Sequence, residues 1–260
     1  MATSLPVLTF HAIDDSSSVI AYAPRMFRNA MATLYEAGHR ALPLLEGLDC
    51  VNRNLPFPDR SFAITFDDGY ESVYSQAFPT LQRYGWSAIV FLTVGAHGDR
   101  TGSARLPALG GRDMLSWNEV REMQRGGITF GAHTLTHPDL THLPSAQVEA
   151  EVRDSKSIIE DALSTPVTAF AYPFGRYDRR CRDIVRCHFA CACADTLGLL
   201  RPQSDVHAME RVDAYYLQTE RLFAVMPTRW FPLYVRARAL PRALRRAVQS
   251  YVAKGFSQGG

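Results

Sequence analysis

Short apolar runs alternate with segments of helical period along most of the chain. Residues 5–10 (LPVLTF) read as a strand, and residues 26–40 as an amphipathic helix with Met26, Ala30, Leu34 and Ala37 at helical spacing. Residues 61–66 (SFAITF) form the next strand pattern, and a helix fits residues 72–84. Residues 86–94 (WSAIVFLTV) are apolar on both faces, as a parallel strand covered on both sides should be. A loop with five glycines, residues 95–111, leads to Ser116-Trp117-Asn118-Glu119, a capping-box signature for a helix running to Arg125. Gly126-Gly127 ends it, and residues 128–132 are strand-like. A helix over residues 145–163, a strand over 167–172, a helix over 177–187 and a strand-like run over 189–194 complete the series. Such alternation predicts a parallel α/β fold. About seven units predict a distorted (β/α) barrel, with an open doubly wound sheet as the alternative. No G-x-G-x-x-G or G-x-x-x-x-G-K-[ST] follows a strand, which argues against a nucleotide-phosphate cradle.

With 260 residues, 47% of them hydrophobic and 21% charged, the chain has the composition of a soluble globular protein. No run reaches the roughly 18–20 apolar residues of a membrane span. The first residues, MATSLP, lack a basic segment and an apolar core, so the expectation is a cytoplasmic protein without a secretory signal. Of five cysteines, Cys181, Cys187, Cys191 and Cys193 crowd together. Because Cys191 and Cys193 alternate within an apolar run, small buried hydrophobes are expected there rather than a zinc cluster.

Charge is unevenly placed. Twenty basic and twenty-six acidic side chains lie in residues 1–220, a balance of −6; residues 221–260 hold eight basic side chains and no acid. This divides the chain into an acidic domain, 1–220, and a basic extension, 221–260. Within the extension a helix fits residues 240–253, with Leu240, Leu244, Val248, Tyr251 and Val252 on one stripe and Arg238, Arg242, Arg245 and Arg246 beside it. Two readings stay open: peripheral contact with the inner face of an anionic membrane, or packing of the stripe on the barrel. No nucleic-acid partner is expected, since no recognition motif accompanies the charge.

In a βα barrel chemistry gathers at the C-terminal strand ends. His11 follows the first strand, Asp67-Asp68-Gly69-Tyr70 the second, His133-Thr134-Leu135-Thr136-His137 the fourth and Pro173-Phe174-Gly175 the fifth. Neighbouring strand residues point opposite ways, so one aspartate can bind a metal while the other serves as base. Taken alone, Asp67-Asp68 reads equally well as a turn or helix cap. His133 and His137, four apart, can share one face and hold a divalent ion, although isolated loop histidines more often bond backbone. His142 reads as a surface residue, and His39, His97, His188 and His207 have no supporting context. Two imidazoles, one carboxylate and an open position suit hydrolysis of an amide or ester.

These segments resemble the NodB-type polysaccharide deacetylases, carbohydrate esterase family 4, over roughly residues 5–215. Thr65-Phe66-Asp67-Asp68-Gly69 is similar to the family's T-F-D-D-G motif, and His133–His137 to its H-[ST]-x-x-H. The resemblance implies Asp67 as general base and Asp68, His133 and His137 as ligands of one divalent metal, zinc before cobalt, nickel or iron. The family's R-x-P-Y motif is altered: Ala171 stands at the Arg position and Phe174 at the Tyr position. The segment FAYPFG resembles instead the poly-N-acetylglucosamine and exopolysaccharide-cluster branch, in which the catalytic histidine lies N-terminally. His11 is then similar to the general acid, and the Phe174 N–H to an oxyanion donor, with Tyr172 and Pro173 beside it at the substrate. What orients Asp67 is left open. The implied reaction is removal of N-acetyl groups from an exported or cell-surface polysaccharide or its lipid-linked precursor. A hydrolase of a small non-sugar amide and an inactive carbohydrate-binding or membrane-associated scaffold are the alternatives.

Overall fold

The computed structural model describes residues 1–95 and 102–240. Among them are eight strands: β1 (Val7–Phe10), β2 (Arg40–Ala41), β3 (Ser61–Phe66), β4 (Ile89–Leu92), β5 (Thr129–Ala132), β6 (Ala169–Ala171), β7 (Cys191–Leu197) and β8 (Met209–Asp213). Seven of them close into a parallel barrel, because β1 pairs with β3 on one side and with β8 on the other. The register runs from Val7↔Ala63 to Phe10↔Phe66 on the first seam and includes Thr9↔Asp213 on the second. The two-residue β2 stays outside the ring, on the start of β3. Closure removes the edges that an open sheet would leave, so the doubly wound alternative is excluded.

Strand alternation divides the core into two layers. Val7, Ala63, Ile89, Phe91, Ala169, Ala171, Cys191, Cys193 and Met209, all odd-numbered, form one buried cluster inside the ring. Leu44, Leu48 and Val51 of α2 (Leu44–Asn52) and Phe57 belong to the same cluster. Even-numbered neighbours such as Leu8, Phe66, Val90, Phe170 and Val212 face the helical coat. Gly131 shows how tightly the interior fills. A Cβ there would lie 2.5 Å from the Phe91 ring and 2.8 Å from the Ala169 carbonyl oxygen. Cys191 and Cys193 are buried and unpaired, as small interior hydrophobes.

The coat is α1 (Pro24–Glu36), α3 (Phe78–Tyr84), α4 (Trp117–Arg125), α5 (Ser145–Leu163), α6 (Arg179–His188) and the short α7 (Glu220–Phe223). The capping box of α4 is present: Glu119 N–H donates to Ser116 Oγ, and Ser116 N–H donates to Glu119 Oε2. The helix expected over 26–40 stops at Glu36, because Gly38 turns the chain at φ 74 toward β2. Residues 221–240 do not stand apart from the barrel. Phe223, Met226, Phe231 and Val235 are buried in the outer core cluster. Residues 231–240 are helical, with Leu233, Arg236 and Leu240 outward. The rest of the helix expected over 240–253, and His97, lie outside the described residues. Among the described residues no helix is long and apolar enough to cross a membrane.

Candidate metal and catalytic centre

The C-terminal strand ends line one cavity of about 730 Å³, with His11, Asp67, Asp68, His133, His137, Phe174, Arg211 and Asp213 in its wall. Asp67 and Asp68 were expected to point opposite ways, yet both face the cavity. The backbone supplies the reason: Asp68 has φ 76, so strand alternation ends at Asp67.

Asp68 Oδ1 lies 3.5 Å from His133 Nε2 and 3.3 Å from His137 Nε2, and the two imidazole nitrogens are 3.2 Å apart. Four ligands at ~2.0–2.1 Å around a tetrahedral zinc would sit ~3.3–3.4 Å from one another, so this triangle fits such an ion. Two further observations agree. Asp68 Oδ1 is buried with no hydrogen-bond partner. His133 Nδ1 is 2.7 Å from the Ala171 carbonyl oxygen. Donation to that carbonyl places the proton on Nδ1 and leaves Nε2 facing the other donors. Burial, then the charge of His133, push His137 down to about 4. Burial opposes charge on His133 as well, but Asp68 and then Asp67 outweigh it and move that imidazole up. Among the described residues this trio is the one group of three or more His, Cys, Asp or Glu poised for an ion. His142 is exposed, with only Asp139 at 3.5 Å.

Asp67 is held from below. Arg211 donates from Nη1 to Oδ1 and from Nη2 to Oδ2, both at 2.8 Å. The same guanidinium donates to the Ala194 carbonyl at 3.1 Å and to Thr65 Oγ1 at 3.3 Å. Burial alone would raise the Asp67 carboxyl; Arg211, then His133, hold it well below the usual carboxylate range. His11 Nε2 stands 3.9 Å from Asp67 Oδ2, with part of its ring open to the cavity. Arg211 is the residue that sequence reasoning missed, and it answers the question left by Ala171. It comes from β8, a strand without a clear apolar signature. The available signal was a single arginine alternating with Met209 and Asp213.

Phe174 sits at φ 56, exposed, its ring edge-on to His137 with centroids 4.7 Å apart. Its N–H has no acceptor among the described residues. Gly175 lets the turn close, because a Cβ there would come within 2.2 Å of the Asp195 backbone nitrogen. Tyr172 requires a correction. Its side chain is fully buried, stacks on Tyr177 and donates to the His207 carbonyl, so it does not face the cavity. As the last residue before the turn it keeps the even-numbered, outward orientation of β6. Pro173 is buried and does not line the cavity either. A divalent-ion triangle, a clamped carboxylate, an imidazole and a free N–H around one open cavity suit hydrolysis of an acyl group.

A family model described as polysaccharide deacetylase matches residues 54–188. The Bacillus subtilis (strain 168) protein YxkH, which carries the polysaccharide deacetylase name, is 29% identical over 67% of this chain and 58% of its own length. The Escherichia coli (strain K12) poly-beta-1,6-N-acetyl-D-glucosamine N-deacetylase is 27% identical over 49% of this chain and 20% of its own. The chain therefore spans less than two thirds of the first relative and a fifth of the second. The Streptococcus pyogenes deacetylase PplD, solved with acetate, superposes with a TM-score of 0.72 at 23% identity, covering 82% of this chain and 93% of that one. That likeness concerns the fold. The matched interval includes Asp67, Asp68, His133, His137 and Phe174 but neither His11 nor Arg211.

Proposed function

The chain belongs to the polysaccharide deacetylase family, and from that premise we propose that it removes N-acetyl groups from the glucosamine-type sugars of a cell-surface or exported polysaccharide. The observation that carries this reading is the Asp68–His133–His137 triangle beside an Asp67 clamped by Arg211. Asp68, His133 and His137 would hold one divalent ion, and two imidazoles with a carboxylate favour zinc. Bound there, the ion supplies Lewis-acid polarisation and lowers the pKa of water. Asp67, kept ionised and aimed by Arg211, takes a proton from the attacking water. The Phe174 N–H donates to the amide oxygen as negative charge builds on it. His11 hands a proton to the departing nitrogen. Water and the N-acetyl sugar become acetate and a free amine. The E. coli relative's name points to β-1,6-linked N-acetylglucosamine as the first polymer to test. A cavity of about 730 Å³ is generous for a small amide and supports a glycan instead. An inactive scaffold would follow from the absence of a motif arginine at Ala171, but Arg211 brings a guanidinium to Asp67 from another strand.

The finer part of the proposal is a lipid-linked substrate met at the cytoplasmic face of a membrane. Trp230, Leu233 and Leu240 are exposed, and Arg229, Arg236 and Arg238 lie among them. This set suits an anionic surface. Tyr234 in the same helix donates to the carbonyl of Tyr216, a residue of the cavity wall.

Acetate release from free, lipid-linked and polymeric N-acetyl sugars, with elemental analysis of the protein, tests both parts. Asp67→Asn should keep its metal and lose roughly 10²–10⁴-fold in turnover. His133→Ala should lose the metal too. Full activity in Asp67→Asn removes the base assignment, and equal rates on free and lipid-linked sugars remove the membrane part.

A further inference from the structure

The turn that carries both imidazoles has a shape its own residues do not favour. Thr134 sits at φ 72 and His137 at φ 59. Left-handed backbone is uncommon for a non-glycine residue and an outlier for a β-branched one, so the surroundings must hold it. One bond is internal: His137 N–H donates to Thr134 Oγ1 at 3.0 Å. The carbonyl side is tied to the end of β4, where Gly95 N–H donates to Leu135 O at 2.7 Å. The N–H groups of Leu135 and Thr136, both between the two ligands, need a partner as well.

Both N–H groups meet one carboxylate. Glu151 Oε2 accepts from Leu135 N–H at 2.8 Å and from Thr136 N–H at 3.0 Å. Its Oε1 accepts from Thr136 Oγ1 at 2.7 Å. Successive N–H groups after a left-handed residue make a concave anion site, and here it is filled from within the chain. Bonds to an ionised acceptor are stronger than neutral ones. Glu151 projects from α5, whose Val148, Val152, Ser155 and Ile159 are buried, so the carboxylate is mounted on a packed element.

We propose that Glu151 is a positioning residue for the metal centre: its carboxylate fixes the His133–His137 turn and thereby the spacing at which the two imidazoles meet Asp68. This rests on the metal reading above. Ligand distances tolerate only about ±0.2 Å, and a turn released from Glu151 would relax toward ordinary φ values and carry His137 with it. Glu160 on the same helix provides a control. It accepts the Val167 N–H at 2.8 Å, far along the helix from the turn.

The experiment is zinc titration of the metal-stripped full chain by calorimetry, with thermal unfolding measured on each variant without metal. Glu151→Ala should weaken zinc binding about 10–100-fold, the range for partners of metal ligands. Glu151→Gln should recover most of it, since the amide oxygen can accept both N–H groups while its NH₂ turns to Thr136 Oγ1. Glu160→Ala should lower the unfolding temperature without changing zinc affinity. Unaltered zinc affinity in Glu151→Ala overturns the inference, as does an equal loss in Glu160→Ala. Should Glu151→Ala not fold, Glu151→Asp, which withdraws the acceptor by one methylene, takes its place; wild-type affinity there overturns the inference equally. If the unaltered chain binds no zinc, the metal reading itself falls, a result distinct from wild-type affinity in the variant.

Discussion

Asp67 and Arg211 meet at two 2.8 Å hydrogen bonds, both nearly excluded from solvent and 144 residues apart in sequence. The guanidinium offsets a burial that pushes the carboxyl up. The sign of the pH effect follows. With Arg211 present the carboxyl lies well below its usual range, so the proposed base stays ionised through neutral and mildly acid pH. In Arg211→Gln burial dominates, the carboxyl rises, and the acid limb of kcat/KM should move to higher pH. The variant should also lose ~3–5 kcal/mol of stability, because a buried charge is left without its partner. A pH profile of acetate release and a denaturant melt measure the two effects; an unmoved acid limb would falsify the assignment of Asp67 as base. Asp67, Asp68, His133 and His137 were legible because each sits in a short contiguous motif at a strand end. Arg211 was not, because its partnership exists only once the barrel closes. Tyr172 was misplaced for a related reason: proximity to the turn in sequence says nothing about which side of the strand a ring takes.

At the scale of elements, Gly131 in β5 leaves room for Phe91 to cross the barrel interior. Gly131→Ala should cost ~1–3 kcal/mol, the range for overpacking a filled core, and a thermal melt would show it. Ser116→Ala should remove the α4 capping box at a cost of about 1 kcal/mol. Helix α5 was readable to its limits, since nineteen residues of helical period end where apolar spacing ends. Strand β8 escaped notice for a physical reason. Its inward positions are Met209, Arg211 and Asp213, so chemistry displaces the apolar residues that normally announce a strand. The two-residue β2 is too short to carry a pattern, and α2 is nine residues long, has no side-chain N-cap and places Gly47 among its buried positions, which blurs its helical signal.

Across the whole molecule, the basic extension is partly structural. Phe223, Met226, Phe231 and Val235 complete the outer core, so a chain ending at residue 220 should lose cooperative folding. A chain ending at residue 240 keeps all four and should melt with the full-length protein, while binding anionic vesicles more weakly for want of Arg242, Arg245, Arg246 and Lys254. Thermal melts and vesicle co-sedimentation separate these outcomes. The closed ring also imposes an order on synthesis. On the proposed roles, the ion ligands lie between residues 68 and 137, whereas the proton-handling groups come from both ends, His11 in the first part and Arg211 in the last strand. A nascent chain thus presents its ion ligands well before the guanidinium that readies its base has left the ribosome. On these roles a chain interrupted before residue 211 lacks both that guanidinium and the strand that closes the ring, so it should be inert, not a slow enzyme.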